Sequence, residues 1–271
     1  MRGGFSLVEL LVVIGIIGVL VGIAVPATLA VRRSADGAVC ASNMRQIGVA
    51  LTGYASAHRG AFPPNSSEIK QYWYSQSVLG EAFPGGKQVV PGEMAGGVLV
   101  CPNDMDDSVR SYSMNVYASS YVSAPVRKKL EGEKPPGALF NATAKRASQL
   151  LLLAESWSEL PSGTDVPPKH VSQAVIGLVG KPGERFGGGR GVIWTDPPDA
   201  TANRFAPRPS QITFYRHRGS RGGQLEDPRG KANFLLADGH VEMVQQSALV
   251  RPDGKSSYQV LWSLVDEGVD Q

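Results

Sequence analysis

Residues 1–33 read MRGGFSLVELLVVIGIIGVLVGIAVPATLAVRR, and between Arg2 and Arg32 the only charged side chain is Glu9. From Leu10 to Val31 the one polar side-chain group is the hydroxyl of Thr28. As a helix this run measures about 33 Å, enough to cross a hydrocarbon core of about 30 Å. A core helix of a compact domain is normally shorter. A removable secretory signal begins in the same way, but its apolar stretch is about half as long. Val25-Pro26-Ala27 is a poor cleavage sequence, and a discarded segment has no use for Glu9. The run therefore reads as a retained membrane-spanning helix. Flanking charge does not orient it, because Arg2 precedes the run while Arg32, Arg33 and Arg45 follow it.

Past Arg33 the chain continues SADGAVCASNMRQIGVALTGYASAHRG (34–60), with apolar positions at Cys40, Met44, Ile47, Leu51 and Tyr54 or Ala55. Steps of three and four lay these on one face of a helix, with Arg45, Gln46 and His58 off it or at its end. This amphipathic part, residues 32–58, is the side expected to pack on a sheet. A helix from Phe5 to Ala57 would be about 80 Å long, too long for a compact domain, so its first half must project. Pro26, Gly15, Gly18 and Gly22 offer places for it to bend.

From Phe62-Pro63-Pro64-Asn65 onward, short apolar runs are broken by glycine and proline, of which the chain holds 32 and 19. Candidate strands are Val98 to Cys101, Gln149 to Ala154, Ala174 to Val179, Val192 to Trp194, Gln211 to Tyr215, Ala232 to Ala237 and His240 to Val244. Long polar loops are expected over Pro84 to Gly97 and Gly180 to Gly191. The expected class is α+β, with one antiparallel sheet packed on the helix stripe and residues 59–271 forming a β-rich body. Asp238-Gly239 between two alternating apolar runs is the strongest hairpin signal, since both turn residues tolerate positive φ. Lys and Arg total 27 against 24 Asp and Glu, a net +3 that points to no nucleic-acid partner. The two cysteines, Cys40 and Cys101, would be inert thiols in a cytosolic protein and a disulfide outside it.

Gly4-Phe5-Ser6-Leu7-Val8-Glu9 resembles the processing site of type IV prepilins and type II secretion pseudopilins. In that family a membrane peptidase cuts after the glycine, here Gly4, and methylates the new terminal amine, here Phe5. The resemblance implies a leader of residues 1–4, a membrane helix over 5–31, a bend at Pro26 and an extracytoplasmic body. It also implies assembly: Glu9 of one subunit pairs with the Phe5 amine of its neighbour, a physically sensible use of a carboxylate that is otherwise costly in a membrane. The implied function is that of a structural subunit of a pilus-like or pseudopilus filament, with prepilin peptidase, other subunits and the cytoplasmic membrane as partners. A membrane-anchored binding module that never polymerises is the alternative.

The C-terminal half adds to this likeness. Ala237-Asp238-Gly239-His240-Val241 matches the end of a signature of one prepilin-like group, His, nine residues, then Asp-Gly. The best histidine is His217, although 20 residues separate it from Asp238. Asn43 to Leu51, Tyr54, Phe62-Pro63, Cys101-Pro102 and Glu155 also match. That group often carries one cysteine on the long helix and one before a proline, which implies a Cys40–Cys101 disulfide.

No catalytic constellation emerges. The four histidines, His58, His170, His217 and His240, form no compact metal motif, and nucleophile elbows and phosphate loops are absent. Asp104, Asp106, Asp107 and Asp238 offer oxygens without the spacing of a calcium loop. Glu155, His217 and Asp238 are expected as a buried polar network bracing the sheet, because an imidazole can bridge two carboxylates. The expectation is a chain with no enzyme activity, no cofactor and no metal.

Overall fold

The computed structural model describes residues 7–84, 86–90, 92–104, 108–122, 124, 147–148, 150–156, 158–159, 171–172, 175–176, 212, 217 and 230–245. Helix α1 (Leu7–Ala57) is followed by a short helix α2 (Gln76–Leu79), then strands β1 (Lys87–Val90), β2 (Glu93–Ala95), β3 (Tyr112–Asn115) and β4 (Leu151–Glu155). Two-residue strands β5 (Ser158–Glu159), β6 (Val171–Ser172) and β7 (Val175–Ile176) come next, and β8 (Lys231–Leu236) and β9 (Val241–Gln245) close the described chain. The result is the α+β arrangement expected of a pilin-like fold.

Helix α1 holds 51 residues and continues through Pro26, giving a rod of about 76 Å. Its two halves meet different surroundings. From Leu7 to Val25 the large apolar side chains are 48–77% exposed on every side, so none of the described residues of the body covers them. From Cys40 onward one face is sealed: Cys40, Met44, Ile47, Leu51 and Ala55 have no exposed surface, Tyr54 is partly buried, and Arg45 and Gln46 face outward. Burying each of the larger side chains contributes about 1.5–3 kcal/mol. The stripe is capped where Gly60 N donates to Ala55 O at 2.7 Å and Arg59 turns the chain with φ +57°. That six-to-one bond is a Schellman ending, with arginine where glycine is usual.

The sheet against this stripe runs β7-β3-β4-β8-β9. Its ladders are antiparallel except that β7 lies parallel to β3, a departure from the expected all-antiparallel sheet. Strand β4 is buried along its whole length, as its unbroken apolar run Leu150 to Leu153 demands of a central strand. Leu235 of β8 fits against Gly48 so closely that a Cβ there would stand 2.8 Å from Leu235 Cδ1, which explains a glycine in mid-helix. On the helix's remaining buried side Phe62, Trp73, Leu79 and Leu99 complete one apolar core with Met114, Leu152 and Leu153.

Several local expectations change. Val98 to Cys101 is no strand: Gly97–Leu99 forms a 3-10 turn that Gly96 and Gly97 enter with φ +72° and +54°. The expected loop from Pro84 to Gly97 contains the paired strands β1 and β2. The Asp-Gly hairpin forms, but as a three-residue loop in which only Gly239 has positive φ (+91°). Gly239 N donates to Leu236 O and Leu236 N to His240 O, both at 2.9 Å, a type I turn followed by a glycine bulge. Val192 to Trp194 and the loop Gly180 to Gly191 lie outside the described residues.

Candidate functional site

Two features of this fold carry chemistry. One is the bare half of α1. Gly4 and Phe5 lie outside the described residues, while Glu9 stands in the first helical turn among exposed Val8, Leu10 and Leu11. Leu7–Thr28 is long and apolar enough to cross a membrane, and none of it is buried among the described residues. Pro26 sits inside the helix, where its ring removes the N–H that would bond Gly22 O. Thr28 Oγ1 donates to Val25 O at 2.9 Å close by.

The other feature is a buried polar cluster between α1 and the sheet, built by strand register. Tyr112 of β3 lies opposite Glu155 of β4, and the pairing of Ala154 with Phe234 sets Asn233 of β8 on Glu155's other side. The helix stripe lays Cys40 above them, and Cys101 arrives from the turn after Leu99, held by its N–H to Ser111 Oγ at 2.9 Å. His217 bridges to Lys231 at the start of β8, where Lys231 N donates to His217 O at 2.9 Å.

Glu155 is the hub. Its Oε1 accepts from Cys40 Sγ at 2.7 Å and from Asn233 Nδ2 at 2.9 Å, and lies 2.8 Å from His217 Nε2. Its Oε2 accepts from the backbone N–H of Asn233 at 3.1 Å. Tyr112 Oη lies 3.1 Å from Cys40 Sγ, and Cys101 Sγ lies 3.7 Å from His217 Nε2. One ligand atom from each of Cys40, Cys101, Glu155 and His217 falls within 4.8 Å of all the others, and all four residues are buried. Asn103 Nδ2 meets the remaining ring nitrogen of His217 at 3.3 Å.

The electrostatics follow from that burial. Burial by itself would lower the imidazole's pKa, but the Glu155 carboxylate and the contact with Cys101 outweigh it and push His217 up to about 10. Burial, the Cys101 contact and the negative charge of Glu155 all push the Cys40 thiol far up. Burial and the neighbouring Cys40 do the same to the Tyr112 hydroxyl. The cluster is thus an imidazolium–carboxylate pair with the protonated Cys40 thiol beside it.

Two expectations need correction here. Asp238 is not part of the network: it sits on the exposed hairpin turn, accepting from His240 N at 3.1 Å with its carboxylate 2.7 Å from His240 Nδ1. The reason is that His217 joins β8 at Lys231, the end remote from the Asp-Gly turn, and Asn233 takes the place foreseen for Asp238. The implied Cys40–Cys101 disulfide is not formed, and both residues are thiols. Each sulfur is instead engaged by the polar groups around Glu155 and His217. Tyr112 and Asn233 were not foreseen, because only the register of β3 and β8 against β4 brings them to Glu155.

Among known proteins, residues 1–25 match the family model described as the prokaryotic N-terminal methylation motif. No curated protein matches the chain, and no solved structure does. The match covers the residues ahead of Leu7 and most of the bare half of α1. It supports a prepilin-like precursor, for which processing by prepilin peptidase and assembly with pilin-type subunits are implied, anchored in the membrane by a single pass.

Proposed function

We propose that this chain is a structural subunit of a pilus-like or pseudopilus filament, cut after Gly4, methylated at Phe5 and held in the cytoplasmic membrane until assembly. The observation that carries this reading is the division of one continuous helix: exposed on all sides from Leu7 to Val25, sealed along a stripe from Cys40 to Ala55. A helix apolar all round and left uncovered by the described residues needs an apolar environment. Lipid supplies it before assembly, and neighbouring helices supply it within a filament. The body, residues 59–271, then lies outside the cytoplasm, and the chain belongs to the prepilin-like group whose C-terminal signature ends in Asp238-Gly239. Its role is assembly rather than turnover.

Within the bundle Glu9 pairs with the Phe5 amine of the adjacent subunit and sets the register. The test is Glu9→Leu. Membrane insertion is retained, since the span becomes more apolar, whereas recovery in sheared filaments falls by about tenfold, equivalent to losing about 1.4 kcal/mol per contact. Undiminished recovery of the variant contradicts the pairing. Wild-type protein confined wholly to membrane fractions, never in a sheared filament, favours the non-polymerising binding module.

A further inference from the structure

We propose that Cys40, Cys101, Glu155 and His217 form a structural binding site for a zinc-type divalent cation, pinning the filament helix to the sheet of the body. The inference does not depend on whether the chain polymerises. Four side chains of ligand type converge from four separate segments: α1, the turn after Leu99, β4 and the bridge that precedes β8. Their donor atoms lie within 4.8 Å of one another, the spacing of a tetrahedral shell collapsed onto its own hydrogen bonds. Two sulfurs with one imidazole and one carboxylate suit zinc and exclude calcium and magnesium, which take oxygen ligands in larger number. All four residues are buried, so the shell is closed, as in structural rather than catalytic zinc sites.

The surroundings orient the ligands as a metal requires. Asn233 fixes the Glu155 carboxylate through its backbone and side-chain N–H groups. Asn103 lies on His217 Nδ1 with Nε2 directed at the cluster, and with a cation on Nε2 the Asn103 amide turns so that its Oδ1 accepts from Nδ1–H. Gly37 lets α1 close over the imidazole, since a Cβ there would stand 3.4 Å from His217 Nδ1 and 3.3 Å from Met243 Cε. On binding, both thiols and the His217 imidazolium release their protons to solvent and His217 ligates as neutral imidazole, so the cation replaces the Cys40–Glu155 and His217–Glu155 hydrogen bonds with metal–ligand bonds. A disulfide would use the two sulfurs alone and give no reason for a buried glutamate, histidine and asparagine to converge on them.

The experiment uses the full chain, purified in detergent without chelator or reductant. Elemental analysis is expected to find about one zinc per chain. Both cysteines resist alkylation until a chelator strips the metal. Replacing zinc with Co(II) gives the visible absorption of a tetrahedral site together with sulfur-to-cobalt charge transfer, which Cys101→Ser reduces. Asn103→Ala, which leaves all four ligands in place, weakens zinc affinity about 10–100-fold, while His240→Gln on the exposed turn leaves it unchanged. The proposal is overturned if unreduced protein yields a Cys40–Cys101 disulfide peptide. It also fails if reduced wild-type protein holds no more zinc than the Cys40→Ser/Cys101→Ser double variant, with alkylation equally fast with and without chelator.

Discussion

At Glu155 a carboxylate loses all contact with water, and the chain compensates it with the Cys40 thiol, the His217 ring and two N–H donors of Asn233. Asp238, named beside it from the sequence, stays on an exposed turn with His240 as its partner. The two acids should therefore respond differently to substitution. Glu155→Ala leaves a buried His217 without its counter-charge, and is expected to destabilise the body by about 3 kcal/mol. Asp238→Asn should change stability by no more than about 0.5 kcal/mol. Thermal unfolding in detergent, followed by near-ultraviolet circular dichroism, separates the two, and equal effects would contradict the placement. Both cysteines, Glu155 and His217 stood out in the sequence, yet as a disulfide and a separate network. Their union depends on the turn at Gly97 and on strand register, neither of which spacing reveals.

Among the elements, α1 was legible because its pattern is long and regular: steps from Cys40 to Met44, Ile47, Leu51 and Ala55 name the buried face residue by residue. Strands β4, β8 and β9 were legible from the run at Leu150 to Leu153 and from the Asp-Gly turn. Strand β3, Tyr-Ser-Met-Asn, was not, because its alternation lasts only four residues within a polar, serine-rich stretch, and Ser113 and Asn115 are buried where alternation would place them in solvent. They are nonetheless satisfied, Ser113 by the hydroxyl of Ser156 and Asn115 by donating to Leu151 O at 2.8 Å. Strands β1 and β2 were hidden in a glycine- and proline-rich stretch where their short runs carry no period. The C-terminus of α1 yields its own prediction. Arg59 holds the left-handed conformation that L-residues resist, so Arg59→Gly should raise the stability of the body by about 1 kcal/mol. An unchanged or lowered melting temperature would show that the arginine side chain makes a compensating contact.

For the whole molecule, the division of α1 joins fold to function. One rod serves two environments: its sealed half is core to the body, and under the proposed function its bare half meets lipid and then other subunits. Pro26 falls in the bare part, where a missing backbone hydrogen bond disturbs no packing within the chain. A cation at the cluster of Cys40, Cys101, Glu155 and His217 would lock that rod to the sheet, so that force applied along a filament reaches the body through ligand bonds as well as apolar contacts. All of this presupposes that the helix begins where the methylation motif places its start. Mass spectrometry of the mature N-terminus, on protein recovered from the membranes of cells with an active prepilin peptidase, tests this most directly. A chain starting at Phe5 with a methylated amine is the predicted result, whereas a chain still starting at Met1, or one cut near Thr28, would contradict it.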